Sequence, residues 1–195
     1  MSFERSRVLV IAATPRELAP ADGWHAVACG VGPIEAALTT TSAIRGLRPS
    51  VIVHVGIAGA RRAAALPAGT LVIGTESKYT DLAVPAEWAP STVRPADALV
   101  VAAQLALPTA IQRVIGTSGR VGGTLDCDVE AMEGFGVLRA AERAGIPAVE
   151  VRAISNEIEE TDRRRWAFDT AFAAIVDATP RLVAALTSSD AEATT

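Results

Sequence analysis

The chain has 195 residues, half of them hydrophobic and only 4% aromatic, with a formal net charge of −4. That length suffices for one domain that buries about 70% of the surface its unfolded form exposes, with no need of disulfide or metal staples. The acidic balance speaks against a nucleic-acid partner, which requires a basic face, and no run of eighteen apolar residues marks a membrane span.

Val8 to Ala13 is a continuous apolar run, the pattern of a strand buried on both faces, and it stops at Thr14-Pro15. Glu17 follows at once, past the carboxyl end of that strand, where open parallel sheets bind ligands. It can equally be read as a first-turn helix acid favoured by the helix dipole. Trp24 to Cys29 alternates as a second strand. The turn Gly30-Val31-Gly32-Pro33 then leads into a helix from Ile34 to Arg45, with Pro33 suited to its first turn. This turn lacks the third glycine and downstream acid of a dinucleotide fingerprint, so it reads as a tight turn rather than a cofactor cradle, and no cofactor is expected.

Val51 to Val55 is the next buried strand, followed by the small residues Gly56 to Ala60, whose backbone N–H groups could face a ligand. His54 reads as a satisfied core histidine before a catalytic one. Gly69 to Tyr79 is a longer strand, and Leu82 to Pro95, with three prolines, an irregular loop. A helix from Ala96 to Leu107 and a strand from Ile111 to Ser118 follow, then a connection made flexible by Gly119, Gly122 and Gly123. A helix over Val129 to Ala144 and a strand over Ala148 to Ile154 come next. The last helix runs from Arg163 to Leu186 and is slowed or kinked at Pro180. Residues 1–187 are thus expected to form one domain and 188–195 a polar, disordered tail.

Alternating strands and helices imply an α/β fold, a three-layer α/β/α sandwich around a twisted, mainly parallel or mixed sheet. Cys29 and Cys127 lie far apart, with no C-x-x-C and no Cys/His cluster, so they read as reduced thiols without a metal site. With no signal pattern at Met1 to Arg7, a cytoplasmic protein is expected. Arg163, Arg164 and Arg165 follow Glu157, Glu159, Glu160 and Asp162, a mixed-charge loop rather than a phosphate patch.

The stretch from Val129 to Asn156 carries the strongest functional signal. Glu130 and Glu133, three apart, would share one side of a helix start, and the bulky Phe135, Val137 and Leu138 that follow imply that the helix is buried. A buried carboxylate needs partners, and a ligand's hydroxyl groups are one supply. At the other end an apolar strand delivers Ser155 and Asn156.

Four motifs in order, Glu17 after the first strand, Gly56-Ile57-Ala58-Gly59, Met132-Glu133-Gly134 and Arg152-Ala153-Ile154-Ser155-Asn156, resemble the purine nucleoside phosphorylase and nucleosidase superfamily over residues 8 to 186. The chain looks closest to its nucleosidase branch, which holds the methylthioadenosine/adenosylhomocysteine nucleosidases and the futalosine hydrolases. The resemblance implies a homo-oligomer, at least a dimer, acting on a small nucleoside. It implies that Glu133 holds the ribose hydroxyls and Met132 packs under the sugar. Glu17 would activate the attacking water, Ala58 and Gly59 would lie along the base or the water, and Ser155 and Asn156 would meet the purine edge.

The family's phosphorylases hold phosphate with arginines beside glycine-rich turns, which are missing from Gly30 to Pro33 and Gly56 to Ala60, although Arg61 and Arg62 stand close by. Hydrolysis is therefore expected. Adenine-specific members usually carry an aspartate where Asn156 stands. An amide cannot act as that acid but can donate to N7 or a 6-oxo group, which fits release of hypoxanthine from futalosine on the way to menaquinone. The alternatives are adenine release from methylthioadenosine, adenosylhomocysteine or aminofutalosine, or a silent ligand-binding protein on the same fold. Phe135, Trp88 or a residue of a second subunit would stack on the base, and Arg120, Arg94 and Lys78 are candidates for the sugar's 5′ substituent.

Overall fold

The computed structural model describes residues 2–187. The stretch 188–195, read above as a disordered tail, lies outside them.

Eight strands form one mixed sheet: β1 (Val8–Ala12), β2 (His25–Ala28), β3 (Val51–Ala60), β4 (Leu71–Tyr79), β5 (Thr92–Val93), β6 (Ile111–Thr117), β7 (Val129–Ala131) and β8 (Ala148–Glu157). Four helices accompany them: α1 (Pro33–Leu47), α2 (Asp97–Ala106), α3 (Gly134–Arg143) and α4 (Phe168–Thr187). The order runs β2-β1-β3-β7-β6-β4-β5, and β8 bridges β3 and β4. The pairing path from β3 through β8, β4, β6 and β7 therefore returns to β3, so the sheet curls on itself and β1 and β2 extend one side of it.

The period-two alternation of a strand sorts β1 between two helical layers. Val8, Val10 and Ala12 face the core made with α2 and α4, whereas Leu9 and Ile11 face the core made with α1 and α3. A third cluster of Ala58, Val72, Ile115, Val129 and Ile154 joins β3, β4, β6, β7 and β8. α4 is long and apolar enough to cross a bilayer by length and composition. Its apolar stripe of Ala171, Ile175, Ala178, Leu182 and Leu186 instead packs into the first core. The helix continues through Pro180, whose position is exposed.

Three expectations are revised. The Gly56 to Ala60 segment is not a loop after β3 but its continuation, paired with β8 along its length, with an irregularity in register between Ala58 and Gly59. Val129 to Ala131 is a strand rather than the start of a helix, because it completes the curled sheet between β3 and β6. Glu130 and Glu133 therefore do not share a helix face, and α3 begins only after Glu133. The last helix starts at Phe168, since Arg163–Arg165 form a separate 3-10 turn in which Asp162 caps the Arg164 amide.

α1 and α3 approach closely at Gly136, where an added Cβ would lie 2.4 Å from the Pro33 carbonyl oxygen. Backbone cannot yield there as a flexible side chain could. Gly136→Ala should cost about 1–3 kcal/mol by overpacking, measured as a lower urea midpoint with unchanged slope; an unaltered midpoint would mean that the helix pair can slide apart freely.

Candidate active site

The carboxyl ends of β1, β3 and β8 and the start of α3 converge on one cavity. Glu17 sits in the 3-10 turn Pro15–Glu17 that ends the excursion from β1. Its Oε2 accepts from the Thr14 amide at 2.8 Å and the Thr14 hydroxyl at 2.7 Å, and its Oε1 accepts from the Ile57 amide at 3.1 Å. Three donors thus hold a buried carboxylate in one orientation.

Glu133 occupies the position just before α3, where a negative charge is favoured by the helix dipole. Its Oε1 accepts from the Gly32 amide at 3.1 Å, and its Oε2 lies 3.3 Å from Nη1 of Arg152. Gly32 presents that amide at φ +97°, a backbone geometry open to glycine. Burial raises the pKa of Glu133, and the negative charges of Glu17 and Glu150 add to the shift. Arg152 and the Gly32 amide oppose it.

Arg152 is wholly buried, and its guanidinium is fixed on three sides. Nε donates to Glu150 Oε1 at 2.9 Å, Nη1 reaches Glu133 and the Ile57 carbonyl, and Nη2 donates to Nε2 of His54. Burial works to lower the pKa of Arg152, but Glu150, Glu133 and Glu17 outweigh it and the pKa ends raised. His54 Nδ1 lies 3.0 Å from the Ile11 carbonyl, which can only accept, so the proton is on Nδ1 and Nε2 receives from Arg152. Burial first, and Arg152 second, hold its pKa well below the ordinary range, and the ring is neutral. His54 is thus a satisfied core histidine that braces Arg152.

The cavity lining includes all seven expected site residues: Glu17, Ala58, Gly59, Met132, Glu133, Ser155 and Asn156. Ser155 Oγ is 2.7 Å from Asn156 Oδ1 and 3.1 Å from the Ala58 carbonyl, and Asn156 Nδ2 donates to the Glu157 carbonyl at 2.9 Å. Glu130 also lines the cavity, but its oxygens accept from the Gly122 and Thr124 amides at 2.6 and 2.7 Å. It ties down the glycine connection, which was expected to be flexible. Among the described residues the lining holds three carboxylates and no lysine or arginine.

Sequence reasoning missed the apolar wall. Val31, Val121, Trp166, Phe168 and Phe172 line the cavity, with Trp166 and Phe168 centroids 5.4 Å apart and Phe168 and Phe172 stacked at 6.0 Å. The chain has only three Trp and four Phe, and the spacing of these three across the start of α4 was the available signal. Phe135 does not line the cavity; it stacks on Tyr79 at 5.3 Å in the core made with α1 and α3. Trp88 does not line it either and is 77% exposed. Lys78 pairs with Asp126 and Arg94 with Glu76, and neither they nor Arg120 belong to the lining. Arg61 and Arg62 are engaged by Glu159 and Glu157.

A curled mixed sheet between two helical layers thus carries, at its strand ends, a cavity lined by the carboxylates of Glu17, Glu130 and Glu133. The chain belongs to the phosphorylase superfamily, which it matches over residues 22–188. It is 34% identical over 195 residues to the futalosine hydrolase of Streptomyces coelicolor, an alignment covering 86% of this chain and 81% of that protein. The fold is shared with a 5′-methylthioadenosine/S-adenosylhomocysteine nucleosidase of Colwellia psychrerythraea in complex with adenine, at TM-score 0.84 and 19% identity over 95% of this chain and 98% of the other. It is shared as well with the futalosine hydrolase of Helicobacter pylori, at TM-score 0.77 and 16% identity over 90% and 96%.

The raised pKa of Glu133 has a sign that can be tested. A carboxyl whose pKa rises on folding contributes most below its ordinary value of 4.5, and that contribution is lost as pH climbs through the raised value. Glu133→Gln removes the group that must ionise, so the variant should gain stability relative to the parent as pH rises above 4.5. Thermal melts across that range check it; a relative loss with rising pH would show that the pair with Arg152 outweighs burial.

Proposed function

We propose that this chain is a nucleosidase that hydrolyses the N-glycosidic bond of futalosine and releases hypoxanthine. The observation that carries the reading is the pair of fixed carboxylates, Glu17 and Glu133, on one cavity whose lining, among the described residues, holds no lysine or arginine. The futalosine hydrolase relative selects the substrate within that chemistry.

Cleavage of the bond passes through an oxocarbenium-like ribosyl cation, so the site must favour positive charge on the sugar and negative charge on the departing base. Glu133 accepts from the ribose hydroxyls and supplies the first; Met132 packs under the sugar. Glu17 takes a proton from the attacking water, and the donors from Thr14 and Ile57 aim its carboxylate. Ala58 and Gly59 lie along the base. With its Oδ1 facing the Ser155 hydroxyl and one amide N–H given to the Glu157 carbonyl, Asn156 offers its second amide N–H to N7 or the 6-oxo group of the purine. An anionic phosphate would meet three carboxylates and, among the described residues of the lining, no lysine or arginine, which favours water as the nucleophile. The aromatic wall of Trp166, Phe168 and Phe172 accommodates the base or an aromatic 5′ substituent.

Two further parts complete the reading. Ile34 and Leu38, one turn apart on α1, are 69% and 61% exposed beside Val31 of the cavity, and they form the contact of a homodimer. Cys29 and Cys127 are buried free thiols, in keeping with a cytoplasmic enzyme of menaquinone formation.

Purified protein given futalosine without phosphate should release hypoxanthine, followed by chromatography, and should leave methylthioadenosine largely intact. Faster adenine release from methylthioadenosine, or a requirement for phosphate, would overturn the assignment. Glu17→Gln should lower kcat by about 100-fold or more. An Ile34→Glu, Leu38→Glu double variant should run as a monomer in light scattering; an unchanged mass would place the contact elsewhere.

A further inference from the structure

Glu150 is fully buried on β8, two residues before Arg152, and does not line the cavity. Its Oε1 takes the Arg152 Nε–H at 2.9 Å, while its Oε2 is a buried oxygen with no hydrogen-bond partner. The carboxylate fills the space left by the missing side chain of Gly134: a Cβ there would lie 2.3 Å from both oxygens. A buried carboxylate satisfied by a single cation depends wholly on that cation.

Glu133 is placed differently. Its contact with Arg152 is longer, 3.3 Å, and it has a second donor in the Gly32 amide. One guanidinium is thus shared by two carboxylates, and the one without another partner stands closer.

We infer that Glu150 is a positioning residue that holds the Arg152 guanidinium on its own side and so leaves Glu133 the freer acceptor for a sugar hydroxyl. This rests on the nucleosidase reading for the identity of the hydroxyl, but not for the electrostatics. His54 completes the brace as a neutral ring that adds direction without charge. It also gives the glycine of the Met132-Glu133-Gly134 motif a purpose in this chain, since a side chain at 134 would expel Glu150.

The groups facing Glu133 are Glu17 from the turn after β1, Cys29 at the end of β2, the Gly32 amide before α1, and Glu150 with Arg152 from β8. Cys29 is neutral, because burial, and next the Glu133 charge, push its thiol up to about 12. Burial first, and then Glu17 and Glu150, keep Glu133 protonated to higher pH, while Arg152 and the Gly32 amide oppose them.

The test is Glu150→Gln, which keeps the shape and the oxygen acceptor for Nε, removes the charge and puts an amide NH2 in place of the unpartnered Oε2. Carbon-13 NMR of the Glu133 carboxyl, with no substrate present, should show its titration midpoint falling by roughly half a pH unit or more. The acidic limb of kcat/KM for base release should move down with it, and KM should rise more than kcat falls. Glu150→Asp, which keeps the charge but withdraws it by one methylene, should move the midpoint in the same direction and less; it serves also if Glu150→Gln fails to fold. An unmoved Glu133 midpoint in the folded variant would overturn the inference and make Glu150 a strut. Failure of the parent enzyme to release any base would overturn the nucleosidase reading while the NMR midpoint still decides the role of Glu150.

Discussion

A guanidinium buried without access to water must be paired on every side, and Arg152 organises the molecule around that requirement. Its donors go to Glu150 on its own strand, to His54 and the Ile57 carbonyl on β3, and to Glu133 at the start of α3. The demand reaches into apparently unrelated positions. Gly56 has no side chain because a Cβ there would lie 2.3 Å from Nη1 of Arg152, and Gly134 has none because Glu150 occupies its space. His54 keeps its proton on Nδ1 because the Ile11 carbonyl accepts it there. Removing one partner from such a set leaves charge exposed to a medium of low polarity, which is far more costly than replacing the set outright.

The cavity follows from the same arrangement. β3 and β8 run in parallel beyond the usual length of a strand, and their final residues, Ala58, Gly59, Ser155 and Asn156, form a floor of small and polar groups. Glu17 enters from the turn after β1 and Glu133 from the start of α3, each held by backbone amides that no side-chain motion can withdraw. The resulting site is negative and apolar at once, lined both by the carboxylates of Glu17, Glu130 and Glu133 and by the side chains of Trp166, Phe168 and Phe172.

Much of this was legible in the chain. Apolar runs of the β1, β3 and β8 type, bounded by turn residues, identify buried strands because few other segments bury both faces. Glu17, Ser155 and Asn156 stand at the ends of such runs, so their convergence follows from the α/β pattern once the strands are taken as neighbours, whereas Met132 and Glu133, read as part of a helix, were marked out by the Met132-Glu133-Gly134 motif. What the pattern hid has specific causes. A three-residue strand such as Val129–Ala131 has too few residues to show a period, and its assignment depends on partners far away in sequence. Gly56 to Ala60 carries the composition of a loop but is held extended by pairing with β8. Glu130 and Glu133 look like equals at a spacing of three, and only the strand-to-helix change between them separates a carboxylate that fastens a loop from one that faces Arg152 and Gly32.

The amino-acid sequence alone determined the alternation of strands and helices and the presence of carboxylates at two strand or helix ends, because burial patterns and turn chemistry are local properties. Tertiary structure alone decided the pairing of Arg152 with Glu133 and His54, the neutrality of His54, the aromatic wall around the start of α4 and the loss of Phe135 and Trp88 as stacking candidates. These depend on distances between residues up to about a hundred positions apart, which the closing of the sheet sets and no window along the chain can contain.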